Sequence, residues 1–190
     1  MHWIIERHEV VGSTMDDASQ HARRGAPTGV VIVAGEQTAG RGQYGRQWLA
    51  PAGSSLLMTA IARPDCSPDR LEHIPELVGH AVSRAIERWV GVQCDIKLPN
   101  DLMVEGRKIA GILCQSSIEG QKVHYILVGI GINVNLDRDD LPLPTATSIQ
   151  IETGKPGDVN ELLDRVLDEL EECWCFGGAR TADVPRSSDE

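Results

Sequence analysis

The sequence predicts an α+β domain, a mixed β-sheet flanked by helices. Three observations carry this. Compact apolar runs of strand length, GVVIVA (29–34) and SSLLMTAIA (54–62), lie between segments of helical periodicity. Two longer apolar runs late in the chain are separated only by EGQK (119–122), a hairpin-type connection. The helices are few and irregularly interspersed, unlike the strict alternation of a doubly wound sheet.

Each element has its own signal. WIIERHEVV (3–11) reads as the first strand. In the following GSTMDDASQHARRGAP, Thr14 and Asp17 have capping-box spacing, and Gly25 with Pro27 supplies a stop. A helix is therefore predicted over residues 15–24. The clearest helix is PELVGHAVSRAIERWVG (75–91). Pro75 suits its first turn, and Leu77, Val78, Ala81, Val82, Ala85, Ile86 and Trp89 recur at helical spacing. QCDIK (93–97), KIAGILCQSSI (108–118) and VHYILVGIGINV (123–134) read as three further strands, with VEGRK (104–108) as a turn after the first. DVNELLDRVLDELEECW (158–174) is an amphipathic helix whose Asp158 and Glu161 match a capping box. Beyond Trp174 the text is polar and unpatterned. The domain is set at residues 1–175, with a disordered tail predicted over 176–190.

Bulk properties narrow the function. A chain of 190 residues suits one domain with a real core. A net charge of −10 lacks the clustered cations of a nucleic-acid binder. MHWIIERHEVV carries charge within its apolar run and no cleavage pattern, and no apolar run approaches the ~20 residues that span a membrane. The cysteines Cys66, Cys94, Cys114, Cys173 and Cys175 are odd in number and have no paired CxxC spacing. That argues against a disulfide framework and a zinc site, and makes the cytoplasm the expected compartment.

The most informative stretch is AGRGQYGRQW (39–48). Gly40, Gly42 and Gly45 fit G-x-G-x-x-G. A dinucleotide fingerprint must follow a strand directly and open a helix. Here GEQTA intervenes, and Pro51 and Gly53 stand where the helix should be. A Walker A loop needs Lys-Ser/Thr after its last glycine, whereas Gly45 is followed by Arg46-Gln47. A third solution remains: glycine amides and the guanidinium groups of Arg41 and Arg46 gripping phosphate in the loop itself. The bland reading is a surface turn with two solvated arginines. Downstream, KLPND (97–101) ends a strand, Lys108 starts another, and Gly111 permits close backbone approach. Gly129, Gly131 and Asn133 interrupt an apolar strand, where glycine often marks a bulge or a packed ligand. Individually these admit structural readings: a turn, a solvated strand end, a satisfied core amide.

In this order, GSTMDDA, GEQTAGRGQYGRQWLAP, KLPNDLMVEGRKIAGIL, GIGINVN and ATSI resemble the biotin–protein ligase family (biotin–[acetyl-CoA-carboxylase] ligase), across residues 12–149. The resemblance implies the biotin/lipoate ligase catalytic fold and a two-step reaction. Biotin and ATP give biotinyl-5′-AMP, and the acyl group then passes to one lysine of a biotin carboxyl carrier domain. It implies biotin contacts from Ser13, Thr14, Met15, Gln37, Gly40, Arg41, Gly42, Gln43, Lys108 and Gly111. ATP contacts are implied from Arg41, Gln43, Arg46, Trp48, Asn100, Asp101, Lys108 and Asn133. Lys108 and Arg41 would be catalytic, and Asn133 would meet Mg²⁺ indirectly, with the nucleotide. The family also admits homodimers.

Departures from the family pattern are local. Gln43 stands where many members carry Arg, Met15 where Asn is common, and Leu98 where Trp is frequent. The first predicted strand begins at residue 3, so no DNA-binding domain and no repressor role are expected. The family's small C-terminal β domain is not expected after Trp174. A biotin-binding module with little turnover, and a lipoate- or octanoate-type ligase, are the alternatives.

Overall fold

The structure is a computed structural model that describes residues 2–141 and 143–174. Strand β1 (Ile4–Val11) leads into helix α1 (Thr14–Arg23) and back to strand β2 (Val30–Gln37). Because a helix returns the chain to the same end of the sheet, β1 and β2 pair parallel, Ile4 opposite Val30. Strand β3 (Ser55–Ala62) follows, then helix α2 (Ile74–Val90). Strands β4 (Asp95–Lys97), β5 (Asp101–Val104), β6 (Arg107–Glu119) and β7 (Lys122–Asn133) come next. Helices α3 (Ile149–Thr153) and α4 (Val159–Cys173) close the described chain. The strands form one seven-stranded sheet in the order β1-β2-β3-β7-β6-β5-β4. Every pair except β1–β2 is antiparallel, so the sheet is mixed and the α+β expectation holds.

The two faces of the sheet are covered unequally. On one face α2 and α4 bury their apolar stripes, including Val78, Val82 and Ile86 from α2 and Leu163, Val166 and Leu170 from α4. Each fully buried aliphatic side chain of this kind contributes about 1.5–3 kcal/mol. Glu169 of α4 is also buried, and Arg84 and Arg88 of α2 both pair with its carboxylate. The other face carries α1, whose Met15, Ala18 and Ala22 pack on Val30, Ile32, Ile61 and Leu127.

The structure departs from the predicted elements at four points. First, DLMV, which lies between a predicted strand and a predicted turn, forms β5. Glu105 (φ 49°) and Gly106 (φ 76°) form a left-handed two-residue connection, which matches strand twist and folds β5 onto β6. Second, the N-cap of α1 is Ser13, not Thr14, and the Thr14–Asp17 capping box does not form. Thr14 is already helical, and its amide and hydroxyl are taken by Gln37. Third, β4 starts at Asp95 rather than Gln93. Fourth, α3 was missed, although Ser148 caps it by accepting from the Ile151 amide. The Asp158 cap of α4 is present and accepts from the Asn160 and Glu161 amides. The tail assigned to residues 176–190, and Cys175, lie outside the described residues.

Candidate functional site

The site begins where the sheet lacks side chains. Gly111 of β6 and Gly131 of β7 are direct register partners. A Cβ on Gly131 would lie 2.7 Å from Trp48 Cε2, and one on Gly111 would lie 2.9 Å from Trp48 Cζ3. Two residues along β7, a Cβ on Gly129 would lie 2.9 Å from Met15 Sδ. The glycines thus form a floor on the α1 face, and the Trp48 ring rests on it. Above and around that floor is a cavity of about 580 Å³, a volume ordinary for small-molecule sites. Every residue that the resemblance implied for the site lines this cavity except Gly40. Gly40 serves the loop instead, since a Cβ there would stand 2.5 Å from the Trp48 carbonyl oxygen.

One end of the cavity is polar and sits at the start of α1. The Thr14 amide (2.8 Å) and hydroxyl (3.0 Å) both donate to Gln37 Oε1. The Thr59 hydroxyl donates to Thr14 Oγ1 at 2.8 Å. Ser13 is 1% exposed, and its hydroxyl has no partner in the protein. A buried hydroxyl without a partner costs about 1–3 kcal/mol, and such groups call for a ligand or an ordered water. Thr59 escaped sequence reading. Its signal was there: it is the one polar residue between Leu56 and Ala62 of an apolar strand.

The opposite end carries charge. Lys108 Nζ pairs with Asp101 Oδ1 at 2.6 Å and lies 5.5 Å from the Trp48 ring centroid. A cation over an aromatic face is attracted by its quadrupole. The backbone of Lys108 is pinned from both sides. Its amide donates to Thr145 O and its carbonyl accepts from the Thr147 amide, both at 2.8 Å. Asn133 Nδ2 donates to Thr147 O at 2.9 Å. Thr147 in turn donates to Glu152, which Arg107 holds at 3.0 Å. Asn100 also braces the structure: its Nδ2 donates to Ile112 O at 3.1 Å and its backbone carbonyl accepts from the Ile112 amide. That fastens the KLPND segment, with its cis Leu98–Pro99 bond, to β6.

The glycine–arginine segment spans the mouth as a small hairpin. Arg41 bridges Gln47, the Gly42 amide donates to Arg46 O at 2.8 Å, and the Trp48 amide donates to Gly40 O at 3.0 Å. Its tip runs through a single turn at Gln43–Gly45, with Tyr44 at φ 56°. No helix follows, which agrees with the rejection of a dinucleotide loop. Arg41 is ion-paired with Asp16 in the first turn of α1.

Comparison with known proteins decides the family. The model of the biotin/lipoate A/B protein ligase family matches residues 8–133. The chain belongs to that family. The bifunctional ligase/repressor BirA of Bacillus subtilis (strain 168) is 38% identical over 123 residues, 65% of this chain and 38% of that protein. The chain therefore spans well under half the length of this curated relative. Among solved structures, the biotin protein ligase from Aquifex aeolicus in complex with biotin and ATP superposes with a TM-score of 0.75 at 30% identity. That match covers 90% of this chain and 69% of the other. The Leishmania major ligase in complex with biotinyl-5-AMP superposes at 0.74 with 28% identity, covering 92% and 76%. The family's fold, expected from the motifs, is the fold observed.

Magnesium was expected beside Asn133. Among the described residues no group of three or more His, Cys, Asp or Glu side chains converges to hold a metal ion. Asn133 lines the cavity, with its Nδ2 bonded to Thr147 O.

Proposed function

We propose that this chain is a biotin–protein ligase catalytic domain, extending over residues 1–175. It joins biotin to ATP as biotinyl-5′-AMP and passes the biotinyl group to a lysine of a biotin carboxyl carrier domain. The observation that carries this reading is one cavity with two opposed ends: a hydroxyl–amide cluster with an unpartnered Ser13, and Lys108 beside Asp101 and Asn133. The first end suits a cyclic urea, which both donates and accepts hydrogen bonds. A lipoyl dithiolane or an octanoyl chain would leave the Ser13 hydroxyl unpaired, which favours biotin over those acids. The relatives' complexes with biotin, ATP and biotinyl-5-AMP support the same reading.

The chemistry follows from charge. A biotin carboxylate oxygen attacks the α-phosphorus. A P–O bond forms, the α–β bridging bond breaks, and pyrophosphate leaves. Two anions must meet, so a cation has to stand between them. Lys108, at the cavity's charged end, is the cation we assign to this role, and Arg41 and Arg46 of the hairpin add guanidinium groups for the phosphates. In the second step the carrier lysine nitrogen attacks the acyl carbon, the C–O bond to AMP breaks, and the amine loses a proton. Asp101 is the carboxylate nearest Lys108 and meets the incoming amine. Trp48 covers the glycine floor and excludes water from the mixed anhydride, with Met15 and Gly111 bounding the acyl chain. Gln37, Gly40, Gly42 and Gln43 hold the hairpin and head-group end, and Trp48, Asn100 and Asn133 bound the nucleotide side.

We assign the reaction to the cytoplasm, on cysteine usage and the ATP requirement. Cys66, Cys94, Cys114 and Cys173 are free thiols, and no described helix is long and apolar enough to cross a membrane. The acceptor is the carrier domain of a carboxylase of the acetyl-CoA carboxylase type. Incubation with biotin, ATP, Mg²⁺ and such a domain should yield a biotinylated lysine. Labelling no greater than in an ATP-free control refutes the ligase and leaves a binding module. Label transfer from lipoate but not from biotin moves the protein to the other branch of the family.

A further inference from the structure

Of the three cations that serve the proposed reaction, Lys108, Arg41 and Arg46, the first two are each held by a carboxylate in this structure. Lys108 is held by Asp101 within the β5–β6 pair. Arg41 is held by Asp16, and this second pair is of a different kind. It ties the glycine–arginine hairpin to the first turn of α1, the helix whose opening residues Thr14 and Met15 line the cavity. Asp16 does not line the cavity itself. Nothing in the sequence motifs singled it out.

The hairpin leaves Arg41 little freedom except in its side chain. Its backbone is bridged to Gln47, and its neighbours Gly40 and Gly42 bond to Trp48 and Arg46. The guanidinium therefore chooses among partners within one side-chain radius. The Arg41 and Asp16 side chains are 42% and 55% exposed. An exposed pair of this kind is weak and exchanges readily. A phosphate group matches the bidentate geometry of a carboxylate and carries more charge, so it outcompetes one solvated carboxylate. Asp16 also has a plain structural role, because a negative charge in the first turn complements the helix dipole.

We propose that Asp16 is a positioning residue for Arg41. It holds the guanidinium at the cavity rim and competes with the nucleotide's phosphates for it. The inference rests on the reading of the cavity as an ATP site. It goes beyond that reading by naming a residue outside the cavity that sets nucleotide affinity. Both consequences of removing the Asp16 charge have the same sign. Arg41 is released, and a repelling anion beside the phosphates is gone.

Calorimetry with two probes tests this. ATP carries the phosphates and adenosine does not. Asp16→Asn and Asp16→Ser should bind ATP about two- to fivefold more tightly than the native protein, the range set by an exposed ion pair. Adenosine affinity should not change, Asp16→Glu should behave as native, and Asp16→Asn in an Arg41→Gln background should tighten ATP by clearly less than it does in the native background. A purely structural Asp16 would lower the melting temperature and leave the ATP-to-adenosine ratio unmoved. That outcome overturns the inference while leaving the ligase reading intact. Native protein that binds adenosine and ATP alike, or neither, overturns both.

Discussion

Replacing Gly131 by alanine places a methyl group against a rigid ring. The new Cβ would lie 2.7, 2.9 and 3.1 Å from Trp48 Cε2, Cζ2 and Cδ2. Relaxed carbon–carbon contacts fall near 3.5–4.0 Å, so the ring has to retreat by roughly an ångström. The Trp48 backbone is held, since its amide donates to Gly40 O, so the shift falls on the ring. Overpacking of this kind costs about 1–3 kcal/mol. The cost should vanish when the ring is removed. In urea unfolding, Gly131→Ala is expected to lose about 1–3 kcal/mol in the native background and under about 0.5 kcal/mol in a Trp48→Ala background. The coupling, taken from the four-protein cycle, should therefore exceed about 1 kcal/mol. Biotin binding should weaken with it, since the displaced ring intrudes on the cavity. Additive effects, with no coupling beyond about 0.5 kcal/mol, would refute the claim that the glycine floor exists to seat Trp48.

Ser13→Ala removes a buried hydroxyl that has no partner, so stability should hold or rise by up to about 1 kcal/mol, while biotin affinity measured by calorimetry falls about tenfold. A parallel loss of stability would show that the hydroxyl is satisfied within the protein. Gln43→Arg adds a cation to the hairpin tip that lines the cavity, and pre-formed biotinyl-5′-AMP should dissociate more slowly, by several-fold in a chase experiment; unchanged release would remove position 43 from adenylate retention. Burial pushes the Cys94 and Cys114 thiols up to about 12. Their thiolate fractions at pH 8 are then on the order of 10⁻⁴, and alkylation in the folded protein, followed by mass spectrometry, should leave both unmodified until denaturant is added.

Local signals were legible and register-dependent ones were not. The glycine–arginine loop could be separated from nucleotide folds by what failed to follow it, and the hairpin observed bears this out. Lys108 could be placed at a strand start because the preceding turn VEGRK is explicit. The strand β5 was hidden because it has four residues, and its pairing depends on two left-handed residues, one of them Glu105, which sequence does not mark. Thr59 and Gln37 converge on Thr14 only after β2, β3 and α1 are stacked. Asp16 is one of two acids in the first turn of α1, and its contact with Arg41 spans 25 residues of sequence. Asn100, implied at the nucleotide, proves to be bonded to the β6 backbone, so its side chain first serves to fasten KLPND.

The central claim is that Lys108 stands between the two reacting anions. Single-turnover formation of biotinyl-5′-AMP, compared between native protein and Lys108→Ala at saturating biotin and ATP, tests it most directly. The expected result is a loss of about 10²–10³-fold in the rate of adenylate formation, the range for removing a transition-state donor, with biotin affinity changed far less. An Ala variant that forms adenylate at the native rate would contradict the account.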